Sequence, residues 1–440
     1  MREVLVKNEE FKDSPVGKIP QDWDVELLST VSKKIQDGTH FSPKSKEGNF
    51  RYITSKNIRF GYLDLTDCGW ISKEEHEKIY SRCDVHYEDV LLTKDGVNTG
   101  NAAINTLSEP FSLLSSVAFI RPDKNQLNAK YLLQYILSPI GQRRLTDMMS
   151  GLAITRLTLQ KIQSFEIPIP SLSEQQRIAE ILDTVDEAIA RTSSLIIKLK
   201  QTKAGLLQDL LTRGLDEDGK LRDPEAHPEQ FKDSPLGKIP QDWEVVSLVS
   251  LCHRITDGSH QSVKTSDNGV PFLYVSCVRD GKILWEQAAK IPENTYAEIS
   301  KGREPVPGLI LYTAVGSYGH AALVRENYKF SFQRHIAYVL PNKETIAPEY
   351  LVTFLNSPQC RKYSDQVALG NAQKTVTLTA LCGFPIALPE LTEQLRIAEI
   401  LDIHDTRIRT EEAYLNKLKL QKQGLMQDLL TGKVRVRKIK

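Results

Sequence analysis

The sequence predicts an α+β chain: two mixed α/β bodies of related design, separated by a pair of long antiparallel coiled-coil helices. Three observations carry that prediction. The first is a tandem duplication within the 440 residues. Phe11-Lys-Asp-Ser-Pro-Val-Gly-Lys-Ile-Pro-Gln-Asp-Trp-Asp-Val25 returns 220 residues later as Phe231-Lys-Asp-Ser-Pro-Leu-Gly-Lys-Ile-Pro-Gln-Asp-Trp-Glu-Val245. Leu172–Asp183 and Gly205–Thr212 likewise return as Leu391–Asp402 and Gly424–Thr431. Such a unit is far longer than the about 20–50 residues of a solenoid repeat. The second observation is that each half opens with short β-branched or aromatic runs, punctuated by Gly, Pro, Asn and Asp. The third is that each half closes on a stretch whose apolar residues alternate in steps of four and three, the pattern of a coiled coil.

Residues 1–170 form the first mixed body. Phe50–Ile53, Val90–Thr93 and Val117–Ile120 read as strands, and Ala129–Leu137 as a helix stopped by Pro139. Phe165-Glu-Ile-Pro-Ile-Pro170 is an extended exit, because proline disfavours helix in the residue before it. Residues 171–213 form the first long helix, with a Ser cap ahead of Glu174 and Gln175. Its seam runs through Ile178, Leu182, Val185, Ile189, Thr192, Ile196, Leu199, Lys203, Leu206 and Leu210. Residues 214–230 are a polar connector in which Asp218-Gly219 suits a tight turn.

The second mixed body, residues 231–389, has strands at Phe272–Val275, Leu309–Thr313 and Ile336–Leu340, a helix at Pro348–Asn356, and the exit Phe384–Pro389. The second long helix, 390–432, carries the seam Ile397, Leu401, His404, Ile408, Glu411, Leu415, Leu418, Lys422, Leu425 and Leu429. Residues 433–440 read as an exposed basic tail. A helix of ~38 residues extends about 57 Å, too far to bury its seam on one small body. The matching copy is the expected partner, and related surfaces usually pair about a two-fold axis, which makes the helices antiparallel.

Composition excludes more than it identifies. Lys and Arg number 57 against 56 Asp and Glu, a net charge of +1, so a nucleic-acid-binding surface would have to be local. Residues 31–60 are locally basic, with Lys33, Lys34, Lys44, Lys46, Arg51, Lys56 and Arg59 against Asp37 and Glu47. No apolar run approaches the ~20 residues that cross a bilayer, and the charged N-terminus lacks the apolar centre of a signal peptide. Six scattered cysteines without a C-x-x-C suggest reduced thiols, a cytoplasmic location and no zinc site.

No phosphate loop, G-x-G-x-x-G or Gly-x-Ser-x-Gly elbow occurs. Nor does the Asn/Asp-Pro-Pro-aromatic loop of an adenine methyltransferase. Pro122-Asp123-Lys124, the nearest approach to a nuclease cluster, lacks a second acid and reads as a surface turn. A binding protein fits better than an enzyme. Polar, glycine-bearing loops recur in both halves with altered contents: Ile35–His40 against Ile255–His260, Leu92–Gly100 against Tyr312–Gly319, and Ser150–Arg156 against Leu369–Thr375. Glycine permits close backbone approach, and Thr, Asn, Lys, Arg and Gln can read hydrogen-bonding edges. The candidate contacts in the first half are Lys33, Gln36, Thr39, His40, Lys44, Lys56, Arg59, Thr93, Lys94, Asn98 and Arg156. Those in the second are Arg254, Ser259, His260, Lys264, Arg279, Thr313, Ser317, Tyr318, His320, Asn371, Gln373 and Lys374.

On these motifs the chain resembles the specificity subunits of type I restriction-modification systems over nearly its whole length. The resemblance rests on Gly-Lys-Ile-Pro-x-x-Trp at 17–23 and 237–243, the Asp-Gly-[Thr/Ser]-His turns, and Ile-Pro-x-Pro-x-Leu-x-Glu-Gln-x-x-Ile at 167–178. The second exit departs from it as Ile386-Ala-Leu-Pro-Glu-Leu-Thr-Glu-Gln394. The resemblance implies a non-catalytic subunit with two target-recognition domains, each binding half of a split double-stranded DNA site. The paired helices would set the spacer and dock two methyltransferase subunits, and translocase/nuclease subunits would complete the assembly. S-adenosylmethionine, ATP and Mg would belong to those partners, with no cofactor on this chain. Two other classes compete: a self-contained DNA methyltransferase or restriction enzyme, which the missing catalytic loops disfavour, and a bilobal protein-binding scaffold, which predicts no sequence-specific DNA retention.

Overall fold

The structure, a computed structural model, describes residues 2–45, 47–149, 156–279, 281–370 and 374–439. Lys46, residues 150–155, Asn371, Gln373 and Lys440 of the sequence reading lie outside the described residues. The chain divides into two compact units, Met1–Ser194 with Glu412–Lys440, and Leu195–Glu411.

In the first unit a four-stranded antiparallel sheet runs in the order Ser32–Asp37, Val117–Pro122, Val90–Thr93, Ala102–Ile104. The central strands are buried on both faces, which is why they read as continuous apolar runs rather than alternating ones. Alternate residues serve different cores. Val90, Leu92, Ala118 and Ile120 face a layer that includes the helix Ala129–Leu137. Leu91, Val117 and Phe119 face a small sheet built on Phe50–Ile53, whose core includes Ile53, Ile71 and Leu113.

The second unit repeats the plan. Its sheet runs Cys252–Asp257, Ile336–Pro341, Ile310–Thr313, Ala321–Leu323. Ile310, Tyr312, Ala337 and Val339 join one core, and Leu311, Ile336 and Tyr338 the other. Its connector makes the expected turn: Gly219 adopts φ +80°, and the Asp216 amide bonds the Lys220 carbonyl at 2.8 Å.

The long helices span Leu172–Thr212 and Leu391–Leu429. In the first unit Ile178, Ala179 and Leu182 bury themselves with Met426, Leu429 and Leu430. In the second, Leu210 and Leu211 meet Ile397, Ala398 and Leu401. Within each unit the start of one helix therefore lies against the end of the other, which is an antiparallel pairing. Ile178, Leu182, Ile196, Leu210, Ile397, Leu401, Ile408, Leu418 and Leu429 are buried. Val185, Ile189, Leu199, Leu206, Leu415 and Leu425 are half-buried. The two seam lysines occupy matching positions in the repeats and find matching partners. Lys422 pairs with Asp186 in the first unit at 2.6 Å, and Lys203 with Asp405 in the second at 2.6 Å.

Gly205 lies inside its helix, and a Cβ built there meets no atom within 4 Å. Gly205→Ala is expected to stabilise the second unit by about 1 kcal/mol, from helix propensity alone. A rise in its urea-unfolding midpoint at unchanged slope is the confirming measurement.

One expectation is corrected. The basic tail is not a free solvated end: Val434–Ile439 pairs antiparallel with Arg2–Lys7, Leu5 opposite Val436. Period-two alternation explains it. Val434 and Val436 pack on the first core, while Arg435 between them turns the other way and is itself buried.

Candidate nucleic-acid interface

The repeated motifs prove to be joints between body and helix. Trp23 is fully buried and donates its indole N–H to Glu174 Oε2 at 3.2 Å; Trp243 does the same to Glu393 Oε2 at 3.0 Å. An arginine from beyond a long helix completes each joint. Arg435 reaches both Glu174 oxygens, Nε to Oε1 at 2.6 Å and Nη2 to Oε2 at 2.7 Å. Arg222 reaches Glu393 Oε1 at 2.7 Å. Hydrogen bonds from Arg435 to Glu174 raise the guanidinium's pKa above its ordinary value, so it stays charged despite its burial. The neighbouring glutamine ties the helix start to the body. Gln175 accepts the Asn128 amide at 2.8 Å and donates to the Pro170 carbonyl at 2.9 Å; Gln394 makes the equivalent bonds with Ala347 and Pro389.

The Asp-Gly-[Thr/Ser]-His turns are also framework. A Cβ on Gly38 would stand 2.0 Å from the Leu113 carbonyl oxygen, and one on Gly258 2.4 Å from that of Phe332. Only glycine fits such a close approach. Thr39 and Ser259 then donate their amides to those carbonyls, at 2.8 and 2.9 Å. Their hydroxyls accept from the amides of Phe41 and Gln261. His40 lies 3.4 Å from Asp37, and His260 pairs with Asp257.

A second pair of loops springs from the central strands. In the first unit Gly96 and Gly100 adopt positive φ, and Gln142 donates to the Gly100 carbonyl at 2.9 Å. In the second, Gly316 and Gly319 adopt positive φ, and Arg361 donates to the Tyr318 carbonyl at 2.6 Å. The same β-bridge flanks both loops, Asp95 with Arg156 and Val315 with Thr375. The frames agree and the contents do not. Lys94, Asp95, Val97 and Arg156 in one loop stand where Ala314, Val315, Ser317 and Thr375 stand in the other. Arg156 is mostly exposed and is braced by Asp95 at 3.1 Å, while Ser317 accepts from Arg279 at 3.0 Å. Arg279 also meets His320 at 2.7 Å.

Six candidate contact residues are corrected. Thr39, Thr93, Lys94, Ser259, Thr313 and Tyr318 are buried and offer almost no surface to a ligand. Thr93 and Thr313 end fully buried strands, and the Thr313 hydroxyl accepts the His320 amide at 2.9 Å. Lys94 is compensated by Asp95 at 2.9 Å and Asp37 at 3.6 Å. Tyr318 donates to Asp365 at 2.6 Å. Lys33, His40, Lys44, Lys56, Arg59, Arg156, Arg254, His260, Lys264, Ser317 and Lys374 are exposed; Gln36, Asn98, Arg279 and His320 are half-buried.

The basic stretch at 31–60 is largely neutralised by acids that lie outside it, some near in sequence and some distant. Arg51 meets Glu109, Lys56 meets Asp67 at 2.8 Å, Arg59 meets Asp64 at 3.1 Å, and Lys33 lies 3.8 Å from Asp123. Lys34 pairs with Asp84; burial opposes that carboxylate's charge, but hydrogen bonds from Lys34 and Arg121 outweigh it and hold the pKa below the usual range. Among the described residues the side chains of Lys264 and Lys374 make no ion pair, whereas Lys44 lies by Glu75, which accepts its amide at 2.7 Å. The sequence reading missed the turn at Phe60-Gly61-Tyr62, where both aromatics are exposed. Its signal was the repeat offset, which sets Arg59 and Gly61 opposite Arg279 and Gly281; the two glycine amides bond the Ala102 and Ala321 carbonyls alike.

Among the described residues no cluster of His, Cys, Asp and Glu could hold a metal ion, and no helix is long and apolar enough to cross a membrane. Two bodies of one frame, bearing unlike loops and each locked to a long helix, define a two-headed recognition protein. The model of the type I restriction modification DNA specificity domain matches residues 20–201 and 240–420, and the chain belongs to that family.

The type I restriction enzyme MjaVIII specificity subunit of Methanocaldococcus jannaschii is 26% identical over 440 residues, covering 98% of each chain. The EcoKI specificity subunit of Escherichia coli is 23% identical, covering 94% of this chain and 89% of its own. In fold, the chain is similar to the S subunit of a type I restriction-modification system from M. genitalium, with a TM-score of 0.57 at 14% identity, covering 94% of this chain and 98% of that one. A chain solved in a study of complex assembly and conformational transition of the type I R-M system matches with a TM-score of 0.53 at 18% identity, covering 94% and 99%.

Proposed function

We propose that this chain is the DNA-reading subunit of a type I restriction-modification complex, each mixed body reading one half of a bipartite double-stranded site. The observation that carries the reading is the pair of loops held in one frame with unlike accessible side chains, Val97 and Arg156 against Ser317 and Thr375. A shared frame with unlike contents suits two readers of different sequences. Base-edge contacts would specify and exposed cations would set register on the phosphates. The long helices would fix the spacer and dock two methyltransferase subunits, with translocase/nuclease subunits added to them. S-adenosylmethionine, ATP and Mg would be held by those partners. The chain itself would contribute recognition and no catalytic group.

The test exchanges residues 31–160 with the matching segment of a relative, co-expresses the chimera with its methyltransferase subunits, and maps the methylated adenines. One half-site is expected to change while the other half-site and the spacer persist. A change in both half-sites would sink the modular reading.

A further inference from the structure

The loop between the strands Val90–Thr93 and Ala102–Ile104 carries one side chain the framework does not use. Val97 at its tip is fully exposed, at 103% of the reference area; the next most exposed large apolar side chain among the described residues, Leu420, reaches 69%. A single exposed apolar residue is ordinary on a protein surface. The loop beneath this one is not ordinary, because it is bonded into one conformation. The Thr99 amide and hydroxyl both donate to the Gly96 carbonyl, at 3.1 and 2.6 Å. The Gly100 amide donates to Thr93 at 2.9 Å and the Asn101 amide to Asn98 at 3.0 Å. Below the tip, Lys94 and Asp95 are ion-paired, and Asp95 braces Arg156. A β-branched side chain is itself stiff at χ1, so little ordering entropy stands between Val97 and a ligand.

We propose that Val97 reads a thymine, packing against its 5-methyl group in the major groove. The inference rests on the DNA-reading function proposed above and assigns one residue its base. Along the major groove, base edges offer hydrogen-bond donors and acceptors, and the thymine methyl is their one apolar feature. An apolar tip, two residues beyond the aspartate that braces Arg156, therefore has a single matching partner there. The matching tip of the second unit is a hydroxyl, Ser317, held by Arg279 at 3.0 Å, so methyl dependence belongs to the first half-site only.

The test uses the complex of this chain with its methyltransferase subunits and duplexes of the mapped site, each thymine in turn replaced by deoxyuridine, which lacks only the methyl. One substitution, in the half-site assigned to residues 31–160, is expected to weaken binding about fourfold, the effect of one buried methyl. Val97→Ser is expected to bind the parent and that deoxyuridine duplex equally, and Val97→Ile to keep the difference. Three results would each overturn the assignment: no sensitive thymine in that half-site, full sensitivity retained by Val97→Ser, or failure of Val97→Ser to assemble with methyltransferase subunits before DNA is added, which would make the tip a protein contact. A wild-type complex that binds the parent duplex no better than a duplex of unrelated sequence would instead overturn the DNA-reading function itself.

Discussion

Arg435→Met is expected to destabilise the first unit by about 3–5 kcal/mol, because it strips a buried carboxylate of its counter-charge. Glu174 and Arg435 each keep only 7% of their side-chain surface, and both guanidinium bonds to Glu174 are 2.7 Å or shorter. What remains for Glu174 is a single indole N–H at 3.2 Å. The two bonds from Arg435 to Asp22 matter less, since that carboxylate is 67% exposed and water can replace the partner. The penalty belongs to the orphaned charge, so the double variant Glu174→Gln with Arg435→Met should recover much of it. Urea unfolding, with amide hydrogen exchange in Gly17–Leu27 and Glu166–Leu182, reports on the right part of the chain. Equal losses in the single and double variants would show that the orphaned charge is not the source of the penalty.

Trp243→Ala should cost the second unit about 3–5 kcal/mol, the usual range for removing a buried aromatic. The ring is fully buried, and it lies so close to Gly214, at φ +65°, that a Cβ there would stand 2.5 Å from Cζ2. The cavity would open between the connector and the body, where Leu211, Leu215 and Ile397 share one core. Trp243→Phe separates the two contributions: it keeps most of the volume and removes the N–H to Glu393. That should cost about 1–3 kcal/mol, the penalty for leaving a buried acceptor short of a donor. If the Phe variant lost as much as the Ala variant, the hydrogen bond rather than the packing would dominate. The matching change at Trp23 would weaken the first unit by the same logic.

The fold was legible because its two strongest signals are periodic. A seam stepping by four and three can only be a helix that needs a partner, and Ile178, Leu182 and Leu429 meet as that spacing requires. Strands such as Val90–Thr93 were legible from apolar content alone, although nothing local told which face met which core. The site was less legible, and the reason is long-range electrostatics. Lys94 looks like a phosphate contact in its own loop; Asp37, far back in the sequence, helps make it an interior residue. The lysines and arginines of 31–60 look like a basic patch until Asp84, Glu109 and Asp123 fold against them. The tail looked solvated because its charges outnumber its valines, and the strand Arg2–Lys7 that receives it was not read as one. Glu174 was read as a helix-start residue favouring the dipole, and the structure gives it Trp23 and Arg435 besides.

The discontinuity of the first unit bears on how the molecule is made. Leu195–Glu411 is one uninterrupted segment, whereas Met1–Ser194 is finished only by Glu412–Lys440, which supplies Arg435, Leu429 and the strand Val434–Ile439. Domains commonly mature in the order in which they leave the ribosome. Here the order inverts: the later body can close while the earlier one still waits, its tryptophan and glutamate in place and their arginine not yet free of the ribosome. A chain released after residue 411 would carry a finished second head and an unlatched first.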